Sequence, residues 1–124
     1  MVNLILVAAG GASGALIRYV VDKVALAQLG SSATGTFFVN VSGSFLLGLL
    51  AGFFFSNPIG WSVEARLLLT VGFLGSYTTF STLSVATVNS LESGDVFNAA
   101  INIGASVVFG LLAAAAGLAI GKVL

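Results

Sequence analysis

Gly72–Ser84 reads GFLGSYTTFSTLS and lies inside an apolar run from Leu67 to Val88 that contains neither charge nor proline. Seven of the nine residues from Ser76 to Ser84 nevertheless carry a hydroxyl. Inside a bilayer every polar group needs an internal partner, so hydroxyls this dense are expected to face a bundle interior, a partner subunit or a water-filled path. Gly72 and Gly75 immediately precede them. Glycine weakens a helix and removes the Cβ penalty, which permits a break near mid-membrane where freed amides and carbonyls bind ions. Such breaks are tolerated at membrane depth only where they are buried in protein or line a cavity.

Working outward, the rest of the chain is equally apolar. Of 124 residues 58% are hydrophobic and 6% charged, and the mean hydropathy is +1.15. A soluble surface normally needs about a quarter charged residues, so the composition is that of an integral membrane protein. Cysteine and histidine are absent. Thiolate metal sites, zinc centres and Ser-His-Asp catalysis are thereby excluded. A net charge of zero gives no signature of nucleic-acid binding.

At about 20 residues per span, four helices are predicted: Leu4–Val21, Thr34–Phe55, Leu67–Val88 and Val96–Ile120. They form one four-helix transmembrane domain over residues 1–124, joined by short loops at Gly30-Ser31-Ser32, Ser56–Gly60 and Glu92–Asp95. The first apolar run has no preceding Lys or Arg and is expected to be a retained helix rather than a signal peptide. Arg66 and Lys122 fall on one side of the membrane and Arg18 and Lys23 on the other. Orientation follows the Lys/Arg bias, so a balanced chain is expected to insert both ways and to pair as an antiparallel dimer. If Arg18 lies too deep to count, a single orientation follows instead.

Small residues mark where helices meet: Gly10 and Gly14 in the first span, and Ser44, Gly48 and Gly52 in the second. These spacings place them on one helical face and allow close approach. Arg18 continues the Gly14 face, either as an attractor of anions in a wet vestibule or as a snorkelling anchor. Burying it mid-bilayer costs at least about 2.5 kcal/mol. Asn40 is the one strongly polar side chain of the second span, and its carboxamide either cross-links helices or offers N–H groups to an anion. Asn98, Asn102 and Ser106 form a polar line along the fourth span, which fits a path or an interhelical hydrogen-bond ladder. No predicted span has Asp or Glu at its centre, which argues against proton-coupled antiport and a carboxylate-lined cation pore. Hydroxyls, amides and one arginine suit a small anion. Phe80 among them can add the positive edge of its ring, although phenylalanine in a membrane helix usually faces lipid.

Together, GGASGALIRY near the start, GTFFVNVSGSFLLG in the second span and GFLGSYTTFSTLS in the third resemble the fluoride channel family, Fluc/CrcB, over essentially the whole chain. The resemblance implies an all-α, multi-pass protein of the prokaryotic inner or plasma membrane. It also implies a dual-topology homodimer with two antiparallel pores that let fluoride leave the cytoplasm passively, conferring fluoride resistance. Carried over by motif, the pore phenylalanine is Phe80, the pore asparagine Asn40 and the first-helix arginine Arg18. The polar track comprises Ser81, Thr82 and Ser106, with Asn102 on the same line. A structural sodium ion at the dimer centre is held by the backbone carbonyls of Gly75 and Thr78, consistent with the preference of hard cations for oxygen.

The chain departs from the family pattern at several positions. Ser76 stands where a second glycine is usual, Leu83 where a second phenylalanine is usual, and Ala86 where an acidic residue is usual. Asn102 replaces an aromatic and Gly110 a second serine. An alternative reading is therefore one subunit of an obligate heterodimer that pairs with a homologous subunit. A small multidrug transporter is a more distant alternative, since its proton exchange needs a carboxylate that the run LILVAAGGASGALIRYVV lacks.

Overall fold

The computed structural model describes all 124 residues and is entirely helical outside its loops. Four helices are long and apolar enough to cross a membrane: α1 (Val2–Leu29), α2 (Ser32–Ser56), α3 (Val63–Glu92) and α4 (Val96–Val123). All four outrun the predicted spans, α1 most of all. It continues through Asp22 and Lys23 because Val24–Leu29 are compatible with helix and several are strong formers. It stops at Gly30, which takes φ 71° and donates its amide to the Leu26 carbonyl, a left-handed cap that favours glycine. At 1.5 Å per residue α1 is about 42 Å long, against about 30 Å of hydrocarbon, so charges near its end reach the interface. Side-chain caps begin α3 and α4, whereas Ser31 at the start of α2 makes no such bond. The Ser62 side chain accepts from the Ala65 amide, and Asp95 accepts from the Asn98 amide at 3.1 Å.

The helices pack as two close pairs, α2 on α4 and α1 on the first half of α3. Both pairs are set by glycine. A Cβ at Gly48 or Gly52 of α2 would strike the backbone carbonyls of Ala114 or Leu118, and one at Gly117 or Gly121 of α4 would strike those of Phe45 or Leu49. The second pair is built the same way, with Gly10 and Gly14 against Leu68 and Phe73. Water expulsion does not drive such contacts in lipid, so close backbone approach is the main source of attraction. Only 19 of 124 residues are buried, and the one apolar core cluster is Val39, Leu74 and Tyr77. That small core sits where α2 meets the middle of α3.

The helix α3 is irregular at its centre. It opens with an α-helical turn, Val63–Arg66, then forms a π-helical stretch over Leu67–Leu74 and a short α-turn, Gly75–Tyr77. Thr78 (φ −86°, ψ 156°) and Thr79 (φ −153°, ψ 116°) are extended, and helix resumes at Phe80. Gly75 itself is helical, at φ −62° and ψ −30°. The irregular pair is therefore two threonines, β-branched residues comfortable in extended backbone, and glycine's conformational freedom is not what makes it.

Candidate functional site

The extended pair is held from a distance of 39 residues in sequence. Asn40 Nδ2 donates to the Thr79 carbonyl at 2.9 Å, and the Thr79 amide donates to Asn40 Oδ1 at 2.7 Å. This two-bond ring reproduces the pattern by which one β-strand residue pairs with another, and it fixes the carboxamide's orientation, since only Oδ1 can accept. Asn40 thus ties α2 to α3, while one Nδ2 hydrogen stays outside the ring. Thr79 works in both directions. Its Oγ1 accepts from the Thr82 amide at 3.2 Å as the N-cap of Phe80–Glu92, and it contacts the Ser81 and Thr82 hydroxyls at 3.1 and 3.0 Å.

An open groove of about 270 Å³ runs beside this junction, lined among others by Asn40, Ser44, Thr79, Phe80, Leu83 and Ser106. Thr78 also lines it, its hydroxyl donating to the Leu74 carbonyl at 3.1 Å. Phe80 stands 74% exposed on the surface of the chain, and Leu83 is buried. Ser106 is buried, yet its Oγ has no hydrogen-bond partner. An unmet buried hydroxyl costs about 1–3 kcal/mol, and this one, beside the groove, is free to donate to a ligand there. Asn40, Phe80 and Ser106, from three helices, thus come together with Thr78.

The other expected site residues lie around this group rather than in it. Ser81 and Thr82 are exposed on the first turn after the junction, their hydroxyls gathered by Thr79. Asn102 lines a separate groove of about 430 Å³ together with Ser90 and Asn98. There its Nδ2 donates to Thr87 Oγ1 at 3.3 Å, and Thr87 in turn donates to the Leu83 carbonyl at 2.8 Å. Along the α4 line, then, Asn98 caps the helix with Asp95, Asn102 cross-links to α3, and only Ser106 is unpaired. Arg18 is half-buried on α1 and does not line the Phe80 groove. Asp22, one turn beyond it, packs against Gly35 of α2 and has a buried, unpartnered Oδ1. Gly75 is exposed, and a side chain there would meet only the Thr70 carbonyl, at 3.6 Å.

Sequence reasoning missed Thr79 and two contacts between distant segments. Thr79 was legible in principle, as a hydroxyl residue directly before a helical run. The contact of 3.0 Å between Ser42 Oγ and Tyr77 Oη and the Thr87–Asn102 pair join distant segments and leave no local signal.

Residues 5–118 match the sequence profile described as CrcB-like protein, Camphor Resistance (CrcB). The chain is 42% identical to a protein of Dehalococcoides mccartyi named fluoride-specific ion channel FluC, with 100% of this chain and 95% of the relative aligned. Proteins of the same name from Rhizobium meliloti (45% identical, 97% of this chain and 96% of the relative) and Hydrogenovibrio crunogenus (43%, 98% and 92%) match over similar lengths. By both measures the chain belongs to the CrcB family, a family of ion channels and not of enzymes.

Proposed function

We propose that this chain is the subunit of a passive, fluoride-selective channel that exports fluoride from the cytoplasm of a prokaryotic cell across its inner or plasma membrane. The observation that carries the reading is the groove at Phe80. An unpaired buried Ser106 hydroxyl, the spare N–H of Asn40 and an exposed aromatic ring converge there with no carboxylate among the lining residues. A small, strongly hydrated anion gives up water only where donors replace it, and hydroxyl and amide donors in a low-dielectric site do so. Phe80 adds the positive edge of its ring. Ser81 and Thr82 extend the donor track on the first turn after the junction, Asn102 offers its second amide hydrogen from the neighbouring groove, and Arg18 supplies positive charge on α1.

The groove is open on the subunit surface, which fits a pore closed by a second copy. Two copies inserted in opposite senses form the antiparallel dimer, with two pores. A structural sodium ion fits between them. In a continuous helix the Gly75 carbonyl accepts from the Thr79 amide and the Thr78 carbonyl from the Thr82 amide. Those amides are spent on Asn40 and on Thr79 Oγ1, so both carbonyls lose their helical donors and are free for a hard cation. When bound, the ion supplies positive charge that ties the two subunits together.

The test is flux. Purified protein in liposomes loaded with potassium fluoride should release fluoride when a potassium ionophore is added, and liposomes loaded with potassium chloride should retain their chloride. Phe80→Ile, which keeps bulk and removes the ring, should cut fluoride release at least about 100-fold, the order of losing several kcal/mol of stabilisation. Equal release of chloride would overturn selectivity, and unchanged flux in Phe80→Ile would return that ring to lipid.

A further inference from the structure

We propose that Asn40 and the Thr79 hydroxyl are positioning residues for the central cation: together they hold the Gly75 and Thr78 carbonyls away from their helical donors. The inference rests on the sodium reading above and deepens it, since it names what keeps that site open.

Nothing in the local sequence forces α3 to break where it does. Ser76–Phe80 contains no proline and no glycine, and Gly75 is helical. Three backbone groups would pair within a continuous helix: the Thr79 amide, the Thr82 amide and the Thr79 carbonyl. All three are instead engaged by side chains, at 2.7 Å by Asn40 Oδ1, at 3.2 Å by Thr79 Oγ1 and at 2.9 Å by Asn40 Nδ2. Asn40 comes from α2, whose place is fixed by close glycine packing on α4, so the splint is anchored outside the helix that it interrupts. Take away either side chain and the freed amide has one nearby acceptor, the carbonyl that the cation needs. Apparent affinity for the cation then falls by the fraction of subunits in which the threonine pair is still extended.

A consequence follows for the pore. Asn40 uses one face of its carboxamide to splint the break and lines the Phe80 groove as well. A single residue therefore serves both the anion path and the cation site, so the two are not independent, and part of any flux lost on replacing Asn40 is lost through the cation.

Sodium affinity and backbone conformation, read separately, test this. In detergent-solubilised dimers the sodium concentration giving half-maximal thermal protection should rise at least about tenfold in Asn40→Ala, which removes two hydrogen bonds. Thr79→Val, which keeps the branched shape and loses the hydroxyl, should behave similarly, and Thr79→Ser should restore the wild-type midpoint. With sodium removed, the carbon-13 Cα and Cβ shifts of Thr78, extended in the wild type, should move toward helical values in Asn40→Ala and in Thr79→Val. Ser106→Ala, at the pore alone, should lower flux with the sodium midpoint unmoved. Where Asn40→Ala does not fold, the Thr79→Val and Thr79→Ser pair decides. Sodium midpoints and Thr78 shifts equal to wild type in both Asn40→Ala and Thr79→Val would overturn the inference while leaving the sodium site standing. A wild-type protein with no sodium protection at all would overturn the sodium reading and the inference with it.

Discussion

At the scale of the residue, Ser106 separates what the fold needs from what the pore needs. Its side chain is buried and its hydroxyl meets no acceptor or donor within the subunit, so stability gains nothing from the oxygen. Ser106→Ala should therefore leave the thermal midpoint unchanged or raise it, by up to about 1 kcal/mol of relieved desolvation. Fluoride flux should fall severalfold in the same variant, because a donor to the anion is gone. A loss of stability with normal flux would assign Ser106 to packing. Asn102 behaves in the opposite way. Its amide is spent on Thr87, so Asn102→Ala costs the α3–α4 cross-link before it costs the path. Both residues stood on one line of helical spacing in the sequence, i and i+4, and nothing in that spacing told them apart. Their difference comes from the neighbouring helices, where Thr87 of α3 comes within hydrogen-bonding reach of Asn102 and no polar group does so for Ser106.

At the scale of the element, the glycine seams and the irregular centre of α3 were legible to different degrees. Gly10, Gly14, Gly48 and Gly52 announce themselves by four-residue spacing, and the structure places each against a neighbouring backbone. Gly117 and Gly121 have the same spacing but stand in a run of alanines, where small residues are too common to single out. A Cβ at Gly117 would meet the Phe45 carbonyl and the Leu49 amide, backbone atoms that cannot step aside. Gly117→Val should accordingly destabilise the subunit by at least about 2 kcal/mol. Gly104→Ala on the same helix, with open space around it, should be neutral or stabilising by up to about 1 kcal/mol from helix propensity. Unfolding in detergent would check both, and equal effects would remove the close-approach account of the α2–α4 pair. The hydroxyl run foretold that α3 is unusual. Thr78 is named only through the family resemblance and Thr79 not at all, because Asn40 fixes the extended pair from 39 residues away while Gly75 is helical. The π-helical stretch Leu67–Leu74 likewise has no sequence mark, since its wide turns answer to packing against α1 and not to composition.

At the scale of the whole molecule, the open groove at Phe80 and the balanced charges bear on the proposed assembly. Arg66 donates to the Pro58 carbonyl at 2.7 Å and lies over the Phe54 ring at 4.7 Å, which fixes that charge at the α2–α3 loop. Lys23 and Lys122 sit over Tyr19 and Phe55, so three of the four basic residues are held near helix ends on opposite sides. Two against one, with the deeper Arg18 as the remaining vote, is a weak bias. C-terminal tags should report both faces of the membrane in cells, and two lysines added to one end should shift the population toward one orientation. A single orientation in the unmodified chain would require a partner of opposite sense. That partner bears on Leu83, which is buried and lines the Phe80 groove at a position where family resemblance leads one to expect a second aromatic ring. If the chain works as a homodimer, leucine fills the space and one ring suffices; if it belongs to a heterodimer, the missing ring is supplied by a homologous subunit and this chain alone conducts poorly. Leu83→Phe adds a larger side chain to a site that opens on a groove, so its packing cost should stay within about 1–3 kcal/mol. The discriminating measurement is liposome flux from the chain alone, from Leu83→Phe, and from the chain co-expressed with a homologue. Robust flux from the chain alone, raised by neither change, would establish a self-sufficient homodimer. Weak flux, rescued at least about tenfold by the homologue, would establish the paired assembly, and rescue by Leu83→Phe would locate the defect in the ring that this chain lacks.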